Sequence, residues 1–350
     1  MIPLLRPVMP PLDIISEYLQ TCYETGVWSN FGSLYFGAVQ TIKAMTGRYP
    51  VVVSSATSAI DLALSMAPRP PSMVAVPDFT HAGSLVGIRN NVAEPLIVSC
   101  EKATMAMDRE RFEVLCRIGD IDAAVIVNPF GYGIDRAFYA DTARRYGVYL
   151  VFDYAGAWTD FDFDDEFPTV YSLHATKSMP VGEGGVILFA REAAARRARS
   201  LTNFSTAVDR RIEEPSGQNF KISEITAAVL CAQLDDRQYG RVTQRIQHRR
   251  ELIAFYGDEL RRPKVEARAP SLCVFPFPEM RPGDFEAFAI SFGFVAKQYY
   301  IPLRTMPGYL DAQQEGRFCP ELDRCMALPS DCSMEEAAEV VKAIQRFLPE

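Results

Sequence analysis

The sequence predicts an α/β protein in which a large domain, built on a mostly parallel sheet, is followed by a smaller C-terminal α+β domain. Three observations lead there. Through the first two-thirds of the chain, short β-branched runs alternate with amphipathic stretches that carry helix start and stop signals, the pattern of strands joined by crossover helices. Beyond about residue 220 that alternation stops and two long helical patterns follow. The chain also has 350 residues, 48% of them hydrophobic, which is more than one core usually takes. Two domains are therefore expected, residues 1–240 and 241–350.

In chain order, Leu12–Thr25 reads as a first helix. Tyr49–Ser55 (YPVVVSS) is a β-branched run that passes directly into an apolar-periodic helix over Thr57–Ala67, giving a strand-turn-helix unit. Met73–Pro77 repeats the strand signal, a helix is expected after Thr80, and Pro95–Val98 is another short strand. Ile121–Asn128 (IDAAVIVN) has the unbroken apolar character of a strand buried on both faces. Asp135 can cap a helix that runs to Tyr146 and stops at Gly147, and Val148–Asp153 is the next strand. Val186–Phe189 is an apolar strand behind a glycine-rich turn. Ile222–Leu234 and Val242–Leu260 are the long helices, Ser271–Phe277 a strand and Asp284–Phe292 a helix. Ser333 and Glu336 have capping-box spacing at the head of a terminal helix that reaches Phe347.

Composition removes several functional classes. With 36 basic against 44 acidic residues and a net charge of −8, there is no overall positive field for a polyanion. The basic clusters at Arg191–Arg199 and His248–Arg250 fall in helical patterns and read as solvated faces, so no nucleic-acid partner is expected. The start, MIPLLRPVMPPLD, lacks a charged leader followed by an apolar core, and no apolar run approaches the roughly 18–20 residues that span a bilayer. A cytoplasmic protein with no membrane partner is the expectation. Eight cysteines without a CxxC pair and only three histidines suggest reduced, mostly buried thiols rather than a disulfide framework or a zinc site.

In an open parallel sheet, ligands gather at the carboxyl ends of strands, and unusual polar residues lie at such ends here. Ser54, Ser55, Thr57 and Ser58 stand where a strand turns into a helix, a place for an anion held by backbone N–H groups and hydroxyls, although hydroxyl residues there are also ordinary N-caps. Asp153 ends a strongly apolar strand, where a carboxylate needs either a cleft or a cationic partner. Further on, Tyr171-Ser-Leu-His-Ala-Thr-Lys177 leads into Gly182-Glu-Gly-Gly185. A lysine beside such a turn lies near the core, where desolvation lowers its pKa and favours amine chemistry on carbonyls. An anion turn, a strand-end aspartate and a glycine-flanked lysine, in that order, suit a pyridoxal 5′-phosphate enzyme of the aspartate-aminotransferase fold: phosphate anchor, pyridine-nitrogen partner, Schiff-base lysine.

Longer segments resemble the DegT/DnrJ/EryC1/StrS aminotransferases, which act mostly on nucleotide-linked keto sugars. They run from IPLLRP through SSATSAIDLAL, VPDFTHAGSL, FDYAGA, SLHATKSMPVGEGG and NFKISEITAAVLCAQL to QYYIPL and LPSDCSMEEAAEVVKAI. The resemblance implies fold type I, a homodimer with shared active sites, pyridoxal 5′-phosphate as cofactor and pyridoxamine 5′-phosphate between two half-reactions. Its implied substrates are an amino-acid donor, by family analogy L-glutamate, and a nucleotide-linked keto sugar. By the same resemblance Lys177 is the Schiff-base lysine and Asp153 the partner of the pyridinium nitrogen. Thr57, Ser58 and Ser172 belong to the cofactor phosphate, His81 stacks on the cofactor ring, and Asn219 reaches the phosphate from the second subunit.

Some positions depart from the family pattern. Gly156 stands where Gln, His or Glu commonly bonds the cofactor's phenolic oxygen, and Ala56 where the anion turn commonly has Gly. Trp28-Ser-Asn-Phe-Gly32 is more similar to the branch that aminates C4 of dTDP-linked 4-keto-6-deoxy sugars. Two other readings keep the cofactor: a sugar dehydratase, whose members in the family replace the lysine by histidine, and a non-catalytic regulatory protein.

Overall fold

The structure, a computed structural model, describes residues 1–348 apart from 92, 207–211, 213 and 215. In chain order its strands are β1 (Tyr49–Val53), β2 (Met73–Pro77), β3 (Glu94–Val98), β4 (Ala123–Val127), β5 (Tyr149–Asp153), β6 (Thr169–Ser172), β7 (Gly185–Phe189), β8 (Cys273–Pro276), β9 (Lys297–Gln298), β10 (Gln313–Glu315) and β11 (Cys325–Leu328). The helices are α1 (Leu12–Thr25), α2 (Ser33–Thr46), α3 (Ala56–Ser65), α4 (Ala82–Asn90), α5 (Arg109–Ile118), α6 (Arg136–Tyr146), α7 (Glu192–Leu201), α8 (Glu224–Leu234), α9 (Asp236–Glu259), α10 (Pro282–Ser291) and α11 (Met334–Phe347).

An eight-stranded sheet runs in the order β1-β7-β6-β5-β4-β2-β3-β10. It is parallel except at β7, which is antiparallel to both β1 and β6. Every residue of β4 is buried, as its unbroken apolar run requires. Pro50 is tolerated in β1 because that strand forms a sheet edge. One face carries a core built with α1, α2, α5, α6 and α8, including Ile42, Phe112, Tyr139 and Leu230. The other is covered by α3, α4 and α7 through Leu62, Leu85, Ile88 and Ala198. A second, antiparallel sheet in the order β8-β11-β9 packs a third core against α9, α10 and α11, with Tyr256, Phe275, Phe285 and Ile344 at its centre.

The two layers are interleaved. Ile2 forms a bridge with Phe294, and Arg6 grips Glu336 through two side-chain bonds of 2.9 and 2.7 Å. In the opposite direction β10 pairs with β3 and extends the large sheet. Helix α6 is capped by Asp135 and stopped at Gly147 in a left-handed conformation, and α11 has the Ser333–Glu336 capping box. Elements without a sequence expectation include α2, α5 and β6, together with the short β9, β10 and β11. Seven cysteines are buried and Cys319 is half-buried. Among the described residues no helix is long and apolar enough to cross a membrane, and no cluster of His, Cys, Asp and Glu could hold a metal.

Candidate active site

Parallel strands end on one edge of the sheet, so the residues that follow β1, β4, β5 and β6 face a common space. A cavity of about 380 Å³ opens there, lined by Thr57, His81, Asp153, Ser172 and Lys177 among others. Five of the seven residues expected at the site thus come together from four separate stretches of chain. A wider groove at the opposite ends of the strands is lined mainly by apolar groups such as Tyr149, Phe167 and Phe189. Its charged rim pair, Arg144 and Glu166, is already bonded.

Asp153 is the last residue of β5 and 5% exposed. One carboxylate oxygen accepts from the Ala155 N–H at 2.9 Å and the other from the Ser84 hydroxyl at 3.1 Å. Burial pushes its pKa up, and the Ala155 and Ser84 bonds with the nearby Lys177 charge only partly oppose this. Lys177 shows the complementary shift, its pKa held below the ordinary lysine range by burial, with Arg249 adding to it and Asp153 opposing. Arg249 is itself fixed by Asp331 at 3.0 Å and by the Ser178 hydroxyl at 2.9 Å. His81 caps α4, its Nδ1 accepting from the Gly83 N–H at 3.1 Å. Removal from water and the Lys177 charge hold its pKa below the usual imidazole value.

The turn that carries Lys177 is built from the glycine-rich segment. The Leu173 N–H donates to Gly184, that of Ala175 to Gly182 and that of Val181 back to Leu173, at 2.8–2.9 Å. Gly182 has φ of +102°, and a Cβ on Gly185 would stand 2.5 Å from the Ser55 carbonyl oxygen. Close approach at Gly185 therefore locks the lysine loop against the hydroxyl-rich turn at the head of α3. In that turn Ser55 is the helix cap, accepting from the Ser58 N–H at 3.0 Å. The Ser58 hydroxyl is bonded to Ser54 and Ser55 at 3.2 and 3.0 Å, and Ser58 is not among the residues that line the cavity.

Asn219 does not enter the cavity of its own chain. It is exposed, bridged to Asn203 and bonded to Lys221 at 2.7 Å. At Gly156 a Cβ would meet the Ser271 hydroxyl at 2.6 Å and the Phe130 backbone at 3.2 Å, so this cavity has no room for a longer side chain there. Three groups escaped the reading of the sequence: Ser84, which holds Asp153, and the cavity-lining Asn128 and Tyr300. Thr80 and Ser84, one helical turn apart and bonded at 3.2 Å, were the available signal. The roles of Asn128 and Tyr300 depend on contacts between distant segments.

Three comparisons bear on what this arrangement does. The chain is 23% identical over 320 residues to a dTDP-4-amino-4,6-dideoxy-D-glucose transaminase of Shigella dysenteriae, covering 87% of this chain and 86% of that protein. Its fold matches a DegT DnrJ EryC1 StrS aminotransferase from Brucella abortus with a TM-score of 0.84 at 18% identity, covering 97% and 96% of the two chains. It also matches the sugar aminotransferase CalS13 from Micromonospora echinospora with a TM-score of 0.83 at 21% identity, over 99% and 100%. The model of the DegT/DnrJ/EryC1/StrS aminotransferase family matches residues 15–345, nearly the whole length, and the chain belongs to that family as a pyridoxal-phosphate-dependent aminotransferase of fold type I.

Proposed function

We propose that this enzyme moves an amino group from an amino acid, L-glutamate, to a nucleotide-linked keto sugar, C4 of a dTDP-linked 4-keto-6-deoxy sugar being the favoured acceptor position. The observation that carries the reading is the convergence of Lys177 and Asp153, with opposed pKa shifts, in one cavity beside the α3 turn. These residues fit pyridoxal phosphate. A buried carboxylate with two neutral donors calls for a cation such as a protonated ring nitrogen, and an amine held below its usual pKa is ready to bond an aldehyde.

When bound, that cofactor supplies an electron-withdrawing ring able to stabilise negative charge on the carbon beside the transferred nitrogen. Asp153 keeps the proton on the ring nitrogen. Lys177 would bind the cofactor's aldehyde and, as a free amine, would carry the proton to and from the donor's α-carbon, and in the opposite direction in the amination of the keto sugar. Such transfer by a positioned base contributes roughly 10²–10⁴ in rate. Thr57, Ser58 and Ser172 would hold the phosphate, and His81 would cover the ring.

The same proposal makes the working unit a homodimer. Asn219 is exposed and outside the lining of its own cavity, and Tyr23, Trp28, Phe36, Phe204 and Ile225 leave large apolar surfaces exposed on α1, α2, α8 and the nearby loops, as an unpaired interface would. Retention of Lys177 speaks against the dehydratase reading. The test is to load the protein with pyridoxamine 5′-phosphate, offer a panel of nucleotide-linked keto sugars and follow amino-sugar formation by mass. One sugar is expected to be converted, and a panel left wholly untouched overturns the substrate class.

A further inference from the structure

Two walls of the cavity are tied together by a group that the proposed chemistry does not use. Asp78, 6% exposed, follows β2 and leads into Phe79, Thr80 and His81. On the facing wall, Tyr299 and Tyr300 are followed at once by the segment that reaches Arg304. The Arg304 guanidinium donates to Asp78 through Nη1 and to Asp323 through Nη2, the latter at 2.5 Å. The Arg304 backbone N–H donates to the Asp78 carboxylate at 3.0 Å and the Leu303 N–H to the Asp78 carbonyl at 3.1 Å. Phe318 packs against the guanidinium, with its ring centre 4.7 Å away.

What this clasp holds is Tyr300. Its ring stacks on Phe130 at 4.6 Å and 12° and meets Phe79 edge-on at 5.3 Å. It lines the cavity together with Tyr299, and both also line a groove of about 550 Å³ that continues outward past Thr80 and His81 to Pro282, Glu286 and Lys297. Cavity and groove share Thr80 and His81 from one wall and Tyr299 and Tyr300 from the other, so a ligand that reaches Lys177 through this groove passes between the two walls. Burial and the Asp153 charge raise the Tyr300 pKa, which favours the neutral phenol, a hydrogen-bond donor.

We propose that Arg304 is a positioning residue for acceptor recognition: by clamping Asp78 and Asp323 it fixes the gap between the Phe79–His81 wall and the Tyr299–Tyr300 wall, and so places the Tyr300 hydroxyl where a polyhydroxylated sugar ring is read. The inference rests on the keto-sugar reading above. An arginine suits the task because its planar fork serves two carboxylates at once, whereas a lysine in its place presents a single point charge.

The experiment compares Arg304→Gln, Arg304→Lys, Tyr300→Phe and the Arg304→Gln/Tyr300→Phe double variant, all as holoenzyme. Hydrogen exchange over residues 299–303 should quicken at least about tenfold in Arg304→Gln while β4 and β5 keep their protection. With a dTDP-linked 4-keto-6-deoxyhexose as probe, KM should rise about tenfold in Arg304→Gln and in Tyr300→Phe, less in Arg304→Lys, and no further in the double variant, with glutamate conversion in the two Arg304 single variants within about twofold of wild type. Unchanged exchange, additive effects or an equal loss in the glutamate step would each overturn the proposal. If wild type converts no keto sugar, the substrate reading fails by itself, and the exchange measurement still decides whether Arg304 holds the wall.

Discussion

At the scale of single residues, Asp153 and Lys177 carry opposite strains in one cavity, and each leaves a measurable mark. Asp153→Asn keeps the shape and one accepting oxygen but removes the charge, so conversion of bound cofactor by saturating glutamate should slow by on the order of 10²–10³ at equal cofactor occupancy. Rates within about threefold of wild type would remove Asp153 from its assigned role. Borohydride reduction of the holoprotein should fix the cofactor on Lys177, and a label on another lysine would redraw the site. Another buried acid, Asp61, bears on stability. Burial raises the Asp61 pKa to about 6, opposed by bonds from Asn90 and Asn91. The folded state therefore holds this proton more tightly than the unfolded chain, and the associated stability is present below about pH 4 and lost as pH rises through about 6. Asp61→Asn should gain about 2 kcal/mol at pH 7.5 and almost nothing at pH 4 in denaturant titrations. The sequence let Lys177 and Asp153 be placed near one another because one precedes a glycine-rich turn and the other ends an apolar strand, while His81 was expected there through the family resemblance, and all three line one cavity. Arg304 was not legible: its meaning comes from Asp78 and Asp323, and nothing in the sequence marks those as neighbours.

At the scale of elements, the polar segment around Asn219 serves a helix far from it in sequence. Glu224, 2% exposed at the head of α8, accepts from the backbone N–H groups of Gly32 and Leu34 at 2.9 Å, capping α2 from outside. Gly32 has to be glycine because a Cβ would lie 2.5 Å from the Glu224 carboxylate. Glu224→Ala should cost about 3 kcal/mol and Glu224→Gln roughly half of that, read from chemical unfolding. This explains why α2 was invisible in the sequence: its start signal is carried by a residue on another helix, and Gly32 alone says little. Strands and helices with their own local signals behaved differently. β2 begins and ends where its apolar run does, and α6 and α11 have the caps their sequences announce. The four-residue β6 is too short to show periodicity and is recognisable only once its neighbours β5 and β7 flank it.

For the whole molecule, the proposed shared-site dimer gives a further test. Asn219→Ala should weaken cofactor retention by about 1.5–3 kcal/mol, and mixing it with Lys177→Ala chains should restore one intact site in each mixed dimer. A protein that stays monomeric at micromolar concentration with full cofactor content would contradict this. We also propose the division at about residue 240 as the boundary between the two units, with residues 2–6 and β10 exchanged across it. That exchange was not legible, because β10 is the polar run Gln-Gln-Glu and residues 2–6, though mostly apolar, are too short to show a periodicity that names a partner. It has a consequence for how the chain matures. Arg6 and Glu336 are 330 residues apart, and closing a loop of that length opposes their meeting by about 5 kcal/mol of chain entropy. During synthesis the amino-terminal segment leaves the ribosome first and waits without its counterpart until the last helix emerges. Phe294, Tyr300 and Arg304 follow β7, the last of the strands that surround Asp153 and Lys177, by more than a hundred residues, so a nascent chain can assemble the Asp153 and Lys177 edge well before it owns the wall opposite. Asp153 and Lys177, the pair proposed to do the chemistry, are thus made before the wall that faces them, and the cavity is completed only as the segment with Tyr300 and Arg304 docks beside Asp78.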